Sequence, residues 1–148
     1  MKIKIQKLCD KAQMPVYSTE HAACFDLFSV NSVPKTVRPG STEVFGTGLA
    51  FEIPEGHVML VFSRSGHGFK NNIRLANGTG VIDADYRGEV KVKLSADDRG
   101  DWNAGLCIEA GDRIAQAIII PFPKVEFDLA EVLSETDRGE GGFGSTGK

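Results

Sequence analysis

Short runs of alternating apolar and polar residues dominate the pattern along the chain. The longer runs cover residues 44–53, 57–62 and 90–95, and Ile3 and Ile5 alternate with lysines near the start. Alternation with a period of two predicts strands that bury one face. Turn sequences that contain glycine separate the runs at close intervals. The pattern therefore predicts an all-β domain, built as a sandwich or a barrel.

Two segments depart from this alternation. Residues 114–120 read IAQAIII, an almost continuous apolar run rich in β-branched residues, with Pro121 directly after it. Such a run predicts a strand buried on both faces, or one that packs against another subunit. A short helix is predicted after Ser65, ending near Asn71, and no other segment has the apolar spacing of a longer helix.

Length and composition narrow the class of protein. The chain has 148 residues, of which 41% are hydrophobic, and a net charge of −3 from 17 basic and 20 acidic residues. This is the size of one ordinary domain, and interspersed charges argue against nucleic acid as the main partner. The N-terminus has no apolar core of signal-peptide length, and no apolar run approaches the length of a membrane span. We expect a soluble, intracellular protein that is cytoplasmic, or nuclear in a eukaryote.

The chain has three cysteines that lie far apart in the sequence. Cys9, Cys24 and Cys107 form no C-x-x-C pair. An odd, widely spaced set favours neither a disulfide framework nor structural zinc. We expect them to be packed thiols.

The C-terminal segment, residues 138–148, reads RGEGGFGSTGK and carries chemistry suited to a phosphate. Its glycines leave backbone N–H groups open to an anion, Arg138 offers a bidentate fork, and Ser145 and Thr146 offer hydroxyl donors. Phe143 would lie over a ring as a lid. A disordered tail is the alternative. The spacing also fits a P-loop, but a P-loop follows a strand, and none is predicted here.

The segment GVIDADYRG, residues 80–88, contains two carboxylates two positions apart. On an extended backbone Asp83 and Asp85 would point the same way, and one could act as a base. Taken alone, the spacing favours a different interpretation, in which the aspartates end a strand and begin a turn.

Three shorter segments have equally open interpretations. Residues 63–66, SRSG, follow an apolar strand and could bind phosphate, although Arg64 could form a surface ion pair instead. In residues 111–116, GDRIAQ, Gln116 could be a satisfied polar group of the core. Asp26 lies in an apolar stretch, where a carboxylate needs a partner or a metal contacted through water.

Together these five segments resemble the five motifs of the homotrimeric deoxyuridine triphosphatases (dUTPases), in the family's order and spacing, from Ala22 to Gly147. The third segment, GVIDADYRGE, and the fifth, RGEGGFGSTG, are the most specific. The resemblance implies an all-β, jelly-roll-like barrel with one short helix over residues 1–136. It also implies a flexible glycine-rich arm, residues 137–148, which closes the active site of a neighbouring subunit in a homotrimer.

The activity implied by the resemblance is hydrolysis of dUTP to dUMP and pyrophosphate by attack of water on the α-phosphorus. This reaction limits incorporation of uracil into DNA and supplies dUMP for dTMP synthesis. Asp83 would be the general base. Asp26 would reach Mg²⁺ through water, with the ion held mainly by the substrate's phosphates.

The resemblance also implies the residues that bind dUTP. Asn77 and the backbone of residues 80–82 would bind the uracil edge, Tyr86 would lie under the deoxyribose, and Phe143 would stack on uracil. The others would hold the phosphates. The implied set is Arg64, Ser65, Gly66, Asn77, Gly80, Val81, Ile82, Tyr86, Gln116, Arg138, Phe143, Gly144, Ser145 and Thr146.

The chain departs from the family's usual motifs at two positions. Cys24 stands where glycine is usual, and Ser63 where proline is usual, and neither change removes a functional side chain. Two alternatives remain at this stage: a dCTP deaminase-like enzyme of the same fold, and a nucleotide-dependent regulatory binding protein. The IDADY wording and the complete arm oppose the deaminase, and the presence of Asp83 and Asp26 opposes a loss of catalysis.

Overall fold

The structure, a computed structural model, describes residues 1–98 and 105–145. Nearly all of its regular elements are strands, and the helix it contains, α1, covers Ser65–Asn71 as the sequence predicts. Within these ranges no helix is long and apolar enough to cross a bilayer. The strands are β1 (Lys4–Lys7), β2 (Val16–Tyr17), β3 (Phe25–Phe28), β4 (Lys35–Val37), β5 (Thr42–Gly46), β6 (Leu49–Glu52), β7 (His57–Phe62), β8 (Ile73–Leu75), β9 (Gly80–Ile82), β10 (Lys91–Ala96), β11 (Leu106–Ile108) and β12 (Arg113–Pro121).

The strands form a jelly-roll-like arrangement of antiparallel sheets. The largest sheet has the order β2-β3-β12-β7-β9, with β12 between β3 and β7. Smaller sheets pair β5 with β10 and β8, β1 with β6, and β11 with β4. The predicted all-β class is confirmed. The largest sheet also carries most of the segments singled out from the sequence, since β3, β7, β9 and β12 each lie in or next to one of them.

A continuous apolar core packs between the sheets and fixes their relative positions. Side chains with almost no exposed surface come from β3, β5, β6, β7, β8, β10, β11 and β12. They include Leu27, Phe45, Leu49, Met59, Ile73, Leu94, Ile108 and Ile114. Burial of each such side chain contributes about 1.5–3 kcal/mol. The loops that leave these strands therefore start from rigid positions.

Strand β12 is buried only in its first half. Ile114, Ala115 and Ala117 are buried, whereas residues 118–120 are partly exposed. The predicted strand is confirmed, but burial on both faces does not extend to its second half. The three isoleucines therefore leave part of their apolar surface exposed.

The alternating run 44–53 forms two strands instead of one. Strand β5 ends before Thr47, and strand β6 begins after Gly48. Gly48 has a φ of 65°, a conformation that glycine adopts at little cost. The buried hydroxyl of Thr47 donates to the carbonyl oxygen of Val90 at 2.7 Å. Alternation alone did not predict this break because period two continues through both strands.

The cysteines are free, and two of them are not packed. Cys9 and Cys107 are exposed, so the prediction of packed thiols is wrong for both. Cys107 is the outward-facing residue of a three-residue strand, between neighbours that point inward. Burial, and secondarily the negative charge of Asp26, raises the pKa of the Cys24 thiol. This direction of shift does not favour a reactive thiolate.

The chain beyond β12 leaves the body of the domain. Residues 122–140 are exposed throughout, and no strand or helix is formed between 122 and 145. Large apolar side chains in this stretch have most of their surface in solvent: Val125 62%, Phe127 96%, Leu129 99%, Val132 84% and Leu133 82%. These side chains alternate with Lys124, Glu126, Asp128 and Glu131 along the chain, and together they leave much apolar surface exposed.

Candidate active site

The central strands of the largest sheet bring three of the segments together. Asp26 of β3 lies opposite Gln116 of β12, and Gln116 lies opposite Phe62, the last residue of β7. The amide nitrogen Nε2 of Gln116 donates to the carbonyl oxygen of Ser63 at 2.9 Å. Gln116 is therefore a satisfied polar group, as one interpretation of the sequence expected, and it also fixes the backbone just before Arg64.

Asp26 is a buried carboxylate held by three side chains. Only 6% of the surface of Asp26 is exposed. Oδ1 accepts from Nε of Arg64 at 3.1 Å, and Oδ2 accepts from the hydroxyl of Ser18 at 2.7 Å. Nε of Arg113 lies 3.5 Å from Oδ2. Burial of an unpaired carboxylate would be costly at this depth, and the two arginines and the hydroxyl offset that cost.

Arg64 offers an anion-binding fork. Its extended backbone places it at the N-cap of α1, and its side chain is 27% exposed. Asp26 occupies Nε, and over the described ranges neither terminal nitrogen of this guanidinium has a hydrogen-bond partner. These two nitrogens form the planar donor pair that binds phosphate oxygens bidentately.

The backbone after Arg64 is open on the side of the helix. Ser65 and Gly66 are exposed, and a Cβ built on Gly66 would have no neighbour within 4 Å. The packing of the described residues therefore does not require glycine at this position. Close approach of a ligand to the backbone is a sufficient reason for it.

A cavity of about 550 Å³ lies beside this cluster. Arg64, His67 and Arg113 line it together with Asp112, and Nε2 of His67 lies 2.8 Å from the carbonyl oxygen of Arg113. The two positive charges face the negative charges of Asp26 and Asp112, so the groups left to bind an anion are the unpaired terminal nitrogens of Arg64. We call Asp26, Arg64, Arg113 and Gln116 the cationic cluster.

A second group of candidate residues surrounds β9, the edge strand of the largest sheet. A Cβ on Gly80 would lie 3.1 Å from Cβ of Val61, so glycine allows β9 to approach β7 closely. Asn77, Gly80, Val81 and Ile82 line a cavity of about 310 Å³. Because β9 is an edge strand, its outer side presents backbone donors and acceptors that could pair with the polar edge of a base.

Asp83 directly follows β9 and begins a turn. The N–H of Tyr86 donates to the carbonyl oxygen of Asp83 at 3.2 Å, so Asp83 and Asp85 do not share an extended backbone. The interpretation that they end a strand and begin a turn is correct. The hydroxyl of Tyr86 donates to the carbonyl oxygen of Glu89 at 3.1 Å. The exposed carboxylate of Asp83 and the ring of Tyr86 line a cavity of about 250 Å³. We call Asn77, β9, Asp83 and Tyr86 the edge cluster.

The two clusters lie near opposite ends of β7. Ile82 pairs with Met59, so Asp83 is level with the start of β7, while Arg64 follows its other end. Six residues of extended chain separate these levels, which corresponds to about 20 Å. A single chain therefore does not bring the carboxylate of Asp83 and the fork of Arg64 to one phosphate chain.

The hydrogen bonds of the described part of the C-terminal arm stay within the arm and its preceding residue, Thr136, and reach neither cluster. Nε of Arg138 donates to the carbonyl oxygen of Gly141 at 2.7 Å. The N–H of Ser145 donates to the carbonyl oxygen of Gly142 at 3.0 Å. The ring of Phe143 is fully exposed. Gly144 has a φ of 89°. Thr146, the remaining arm residue with an expected role, lies outside the described residues.

The described residues contain no group of three or more side chains able to hold a metal ion. Asp26 is a lone carboxylate whose two oxygens already accept from Arg64 and Ser18. That arrangement offers no cage. It fits an outer contact, through water, to a Mg²⁺ ion that is held mainly by phosphates, because Mg²⁺ keeps much of its hydration shell in proteins.

Four residues that hold the site together were not among those expected to act there. Ser18 and Arg113 hold Asp26, and the hydroxyl of Ser63 accepts from the N–H of Leu75 at 2.8 Å. A carboxylate oxygen of Glu89 accepts from the N–H of Gly48 at 2.9 Å, which anchors the end of the loop that carries Asp83. The GDRIAQ segment could have pointed to Arg113. The chain offers no local signal for Ser18, which pairing of β2 with β3 brings to Asp26.

The sequence model of the dUTPase family matches residues 10–147, nearly the whole chain. The chain is 47% identical to a deoxyuridine 5'-triphosphate nucleotidohydrolase of Nautilia profundicola over 148 residues, which cover both chains completely. It is 43% identical to an enzyme of the same name from a Hydrogenobaculum species, over 99% of each chain. The chain belongs to the dUTPase family.

Solved dUTPase structures have the same fold. A variant of the dUTPase of Staphylococcus bacteriophage 80alpha, solved with dUpNHpp, is 30% identical and covers 99% of each chain, with a TM-score of 0.88. A variant of the dUTPase from phage phi11 of S. aureus, described as coordinating a structural Mg(II) ion, is 27% identical. That match covers 89% of this chain and 98% of the phage chain, with a TM-score of 0.77.

Proposed function

We propose that the chain hydrolyses dUTP to dUMP and pyrophosphate through attack of water on the α-phosphorus. The observation that carries this proposal is membership of the dUTPase family over residues 10–147. The two clusters support it, because one offers the backbone edge and carboxylate that a nucleoside end needs, and the other offers cationic groups for a triphosphate. We place the reaction in the cytoplasm, where nucleotide pools are found.

The nucleoside would bind at the edge cluster. The backbone of β9 and the amide of Asn77 would pair with the polar edge of uracil. Cytosine presents the reverse pattern of donors and acceptors, so it would leave groups of the site unpaired. The ring of Tyr86, held by its bond to the carbonyl of Glu89, would lie under the deoxyribose and exclude a 2′-hydroxyl.

The triphosphate would bind at the cationic cluster. The fork of Arg64 and the amide of Gln116 would contact phosphate oxygens, with Ser65 and the open backbone at Gly66 beside them. Mg²⁺, bound mainly by the phosphates, would neutralise their charge. Asp26 would contact its hydration shell.

The separation of the clusters supports a site formed by several copies of the chain. A nucleotide whose α-phosphorus lay at Asp83 would have to extend about 20 Å along the sheet to reach Arg64 of the same chain. A neighbouring copy removes this conflict. The exposed apolar side chains of residues 125–133 also need a covering surface. We propose a homotrimer in which β9 and Asp83 of one subunit face the cationic cluster of another.

The arm, residues 137–148, would close this shared site from a neighbouring subunit. Its described hydrogen bonds stay within residues 136–145. Movement of the arm to a neighbouring subunit would therefore break no hydrogen bond between the described arm and its own domain. Arg138, Gly144, Ser145 and Thr146 would close over the phosphates, and the exposed ring of Phe143 would stack on uracil. Closure excludes water other than the nucleophile and orders the triphosphate.

Asp83 would take the proton from the attacking water. General base catalysis contributes about 10²–10⁴ in rate, or roughly 3–5 kcal/mol, whereas enzymes lower barriers by at least about 8 kcal/mol. The remainder has to come from charge stabilisation and positioning by Arg64, Gln116 and the closed arm.

The test is pyrophosphate release from dUTP with Mg²⁺, compared with dCTP, dTTP and UTP at equal concentration. We expect turnover of dUTP with strong discrimination against the other three. Ammonia release from dCTP would instead identify a deaminase, and no turnover of any nucleotide would leave a binding protein.

A further inference from the structure

Ser18 is linked to the cationic cluster by one short hydrogen bond, to Asp26, and by a longer contact, to Arg113. It follows β2, whose Val16 pairs with Asp26, and its hydroxyl donates to Oδ2 of Asp26 at 2.7 Å. Nη1 of Arg113 lies 3.4 Å from the same hydroxyl. A hydroxyl can donate and accept at once, so Ser18 stands between the carboxylate and the second arginine.

The way Asp26 holds Arg64 depends on the rotation of one carboxylate. Oδ1 engages Nε of Arg64, which leaves the two terminal nitrogens for an anion. The terminal torsion of aspartate is broad, so the carboxylate turns easily unless its second oxygen is also fixed. At 3.5 Å, Nε of Arg113 is beyond normal hydrogen-bond distance, which leaves the Ser18 hydroxyl as the short contact that fixes Oδ2.

Without that hydroxyl, Arg113 could move onto Asp26 and compete with Arg64. Arg113 is directed at the same carboxylate and has a half-exposed side chain with room to move. If Arg113 took one oxygen of the carboxylate, Asp26 would bind Arg64 in a different geometry, and the terminal nitrogens of Arg64 would no longer be kept free.

We propose that Ser18 is a positioning residue for triphosphate binding: it fixes Asp26 so that Asp26 holds Arg64 by Nε and leaves the fork open. The inference rests on the proposed function for the identity of the anion. It assigns a role to a residue outside the five motif segments. The contacts of Ser18 are with Asp26 and Arg113, and none of these residues belongs to the edge cluster.

Ser18→Ala should weaken binding more than chemistry. Because the bond between Ser18 and Asp26 is only part-buried, we expect about a tenfold rise in the dissociation constant of dUpNHpp, which corresponds to about 1.4 kcal/mol. KM for dUTP should rise in parallel while kcat changes less than about threefold. Ser18→Thr retains the hydroxyl and should restore both values. Thr19→Ala, at the exposed neighbouring position, is the matched control and should behave as the parent.

Testing Ser18→Ala in a protein that also carries an Arg64 substitution shows whether Ser18 acts through Arg64, or instead through stability or the metal ion. In Arg64→Lys, which has no fork, Ser18→Ala should add less than about twofold to the dissociation constant, because coupled residues are not additive. An effect of full size in that background would overturn the inference, since it would show that Ser18 acts through Asp26 without Arg64.

Failure of the inference can be told from failure of the proposed function. A parent protein that binds dUpNHpp but does not turn over dUTP would refute the function and leave the Ser18 comparison intact. Equal dissociation constants for the parent and Ser18→Ala, or a parent that does not bind dUpNHpp, would overturn the role of Ser18. Ser18→Ala should lower the urea midpoint only modestly, because Asp26 keeps its contact with Arg64, and Ser18→Thr should restore the midpoint together with the dissociation constant.

Discussion

Two inactive variants of this chain should restore each other's activity when they are mixed. Asp83→Asn removes the proposed base, and Arg64→Gln removes the proposed phosphate fork. In one chain these residues lie near opposite ends of β7, about 20 Å apart along the sheet. If the base and the fork of each active site come from different subunits, a mixed trimer can contain a site in which both are intact.

The size of the recovery follows from the symmetry of a ring of three. Random assembly of equal amounts of the two variants gives about three quarters mixed trimers, and each mixed trimer contains one neighbouring pair in which both groups are intact. One site in three within about three quarters of the trimers amounts to about one quarter of the parent's sites. A site contained in one chain would give no recovery at any mixing ratio.

The assay is pyrophosphate release at saturating dUTP after the two variants are unfolded together and refolded, with separately refolded variants as the control. The mixture should recover about one quarter of the parent's kcat, and mixing without unfolding should recover less if subunits exchange slowly. Light scattering should confirm that all samples have the same mass. Activity of the mixture no greater than the sum of its components would refute a site shared in this way.

Three further outcomes test separate parts of the reasoning. Asp83→Asn should lower kcat by about 10²–10⁴ with little change in KM, while Asp10→Asn, at an exposed turn, should leave both unchanged. Deletion of residues 137–148 should lower turnover severely and leave the urea midpoint unchanged, because the arm's described contacts are with itself. Gly48→Ala should destabilise the domain by about 2–4 kcal/mol, because the new Cβ would meet neighbouring atoms at 2.9 Å in addition to the strain at φ 65°. Gly56→Ala, with a φ of 73° but open space around it, should cost only about 1–2 kcal/mol in the same urea titration.

Some features of the fold follow from local pattern alone. Alternation in the sequence predicts β7 and β10 closely, and the short helix after Ser65 ends where expected. The run 44–53 shows where this logic fails, since only the positive φ of Gly48 and the buried hydroxyl of Thr47 divide it into two strands. Period two reports which face of a strand is buried and carries no information about where the chain turns.

The sequence by itself determined which chemistry the chain carries, because an arginine beside small residues, an aspartate after a strand and a glycine-rich arm have their chemical properties in any fold. The tertiary structure decided which of these groups meet. Sheet register places Gln116 between Asp26 and Phe62, β2 brings Ser18 to Asp26, and β7 separates Asp83 from Arg64. Contacts between residues distant along the chain depend on strand pairing and core packing, whose energies are summed over the whole domain and are not written in any single segment.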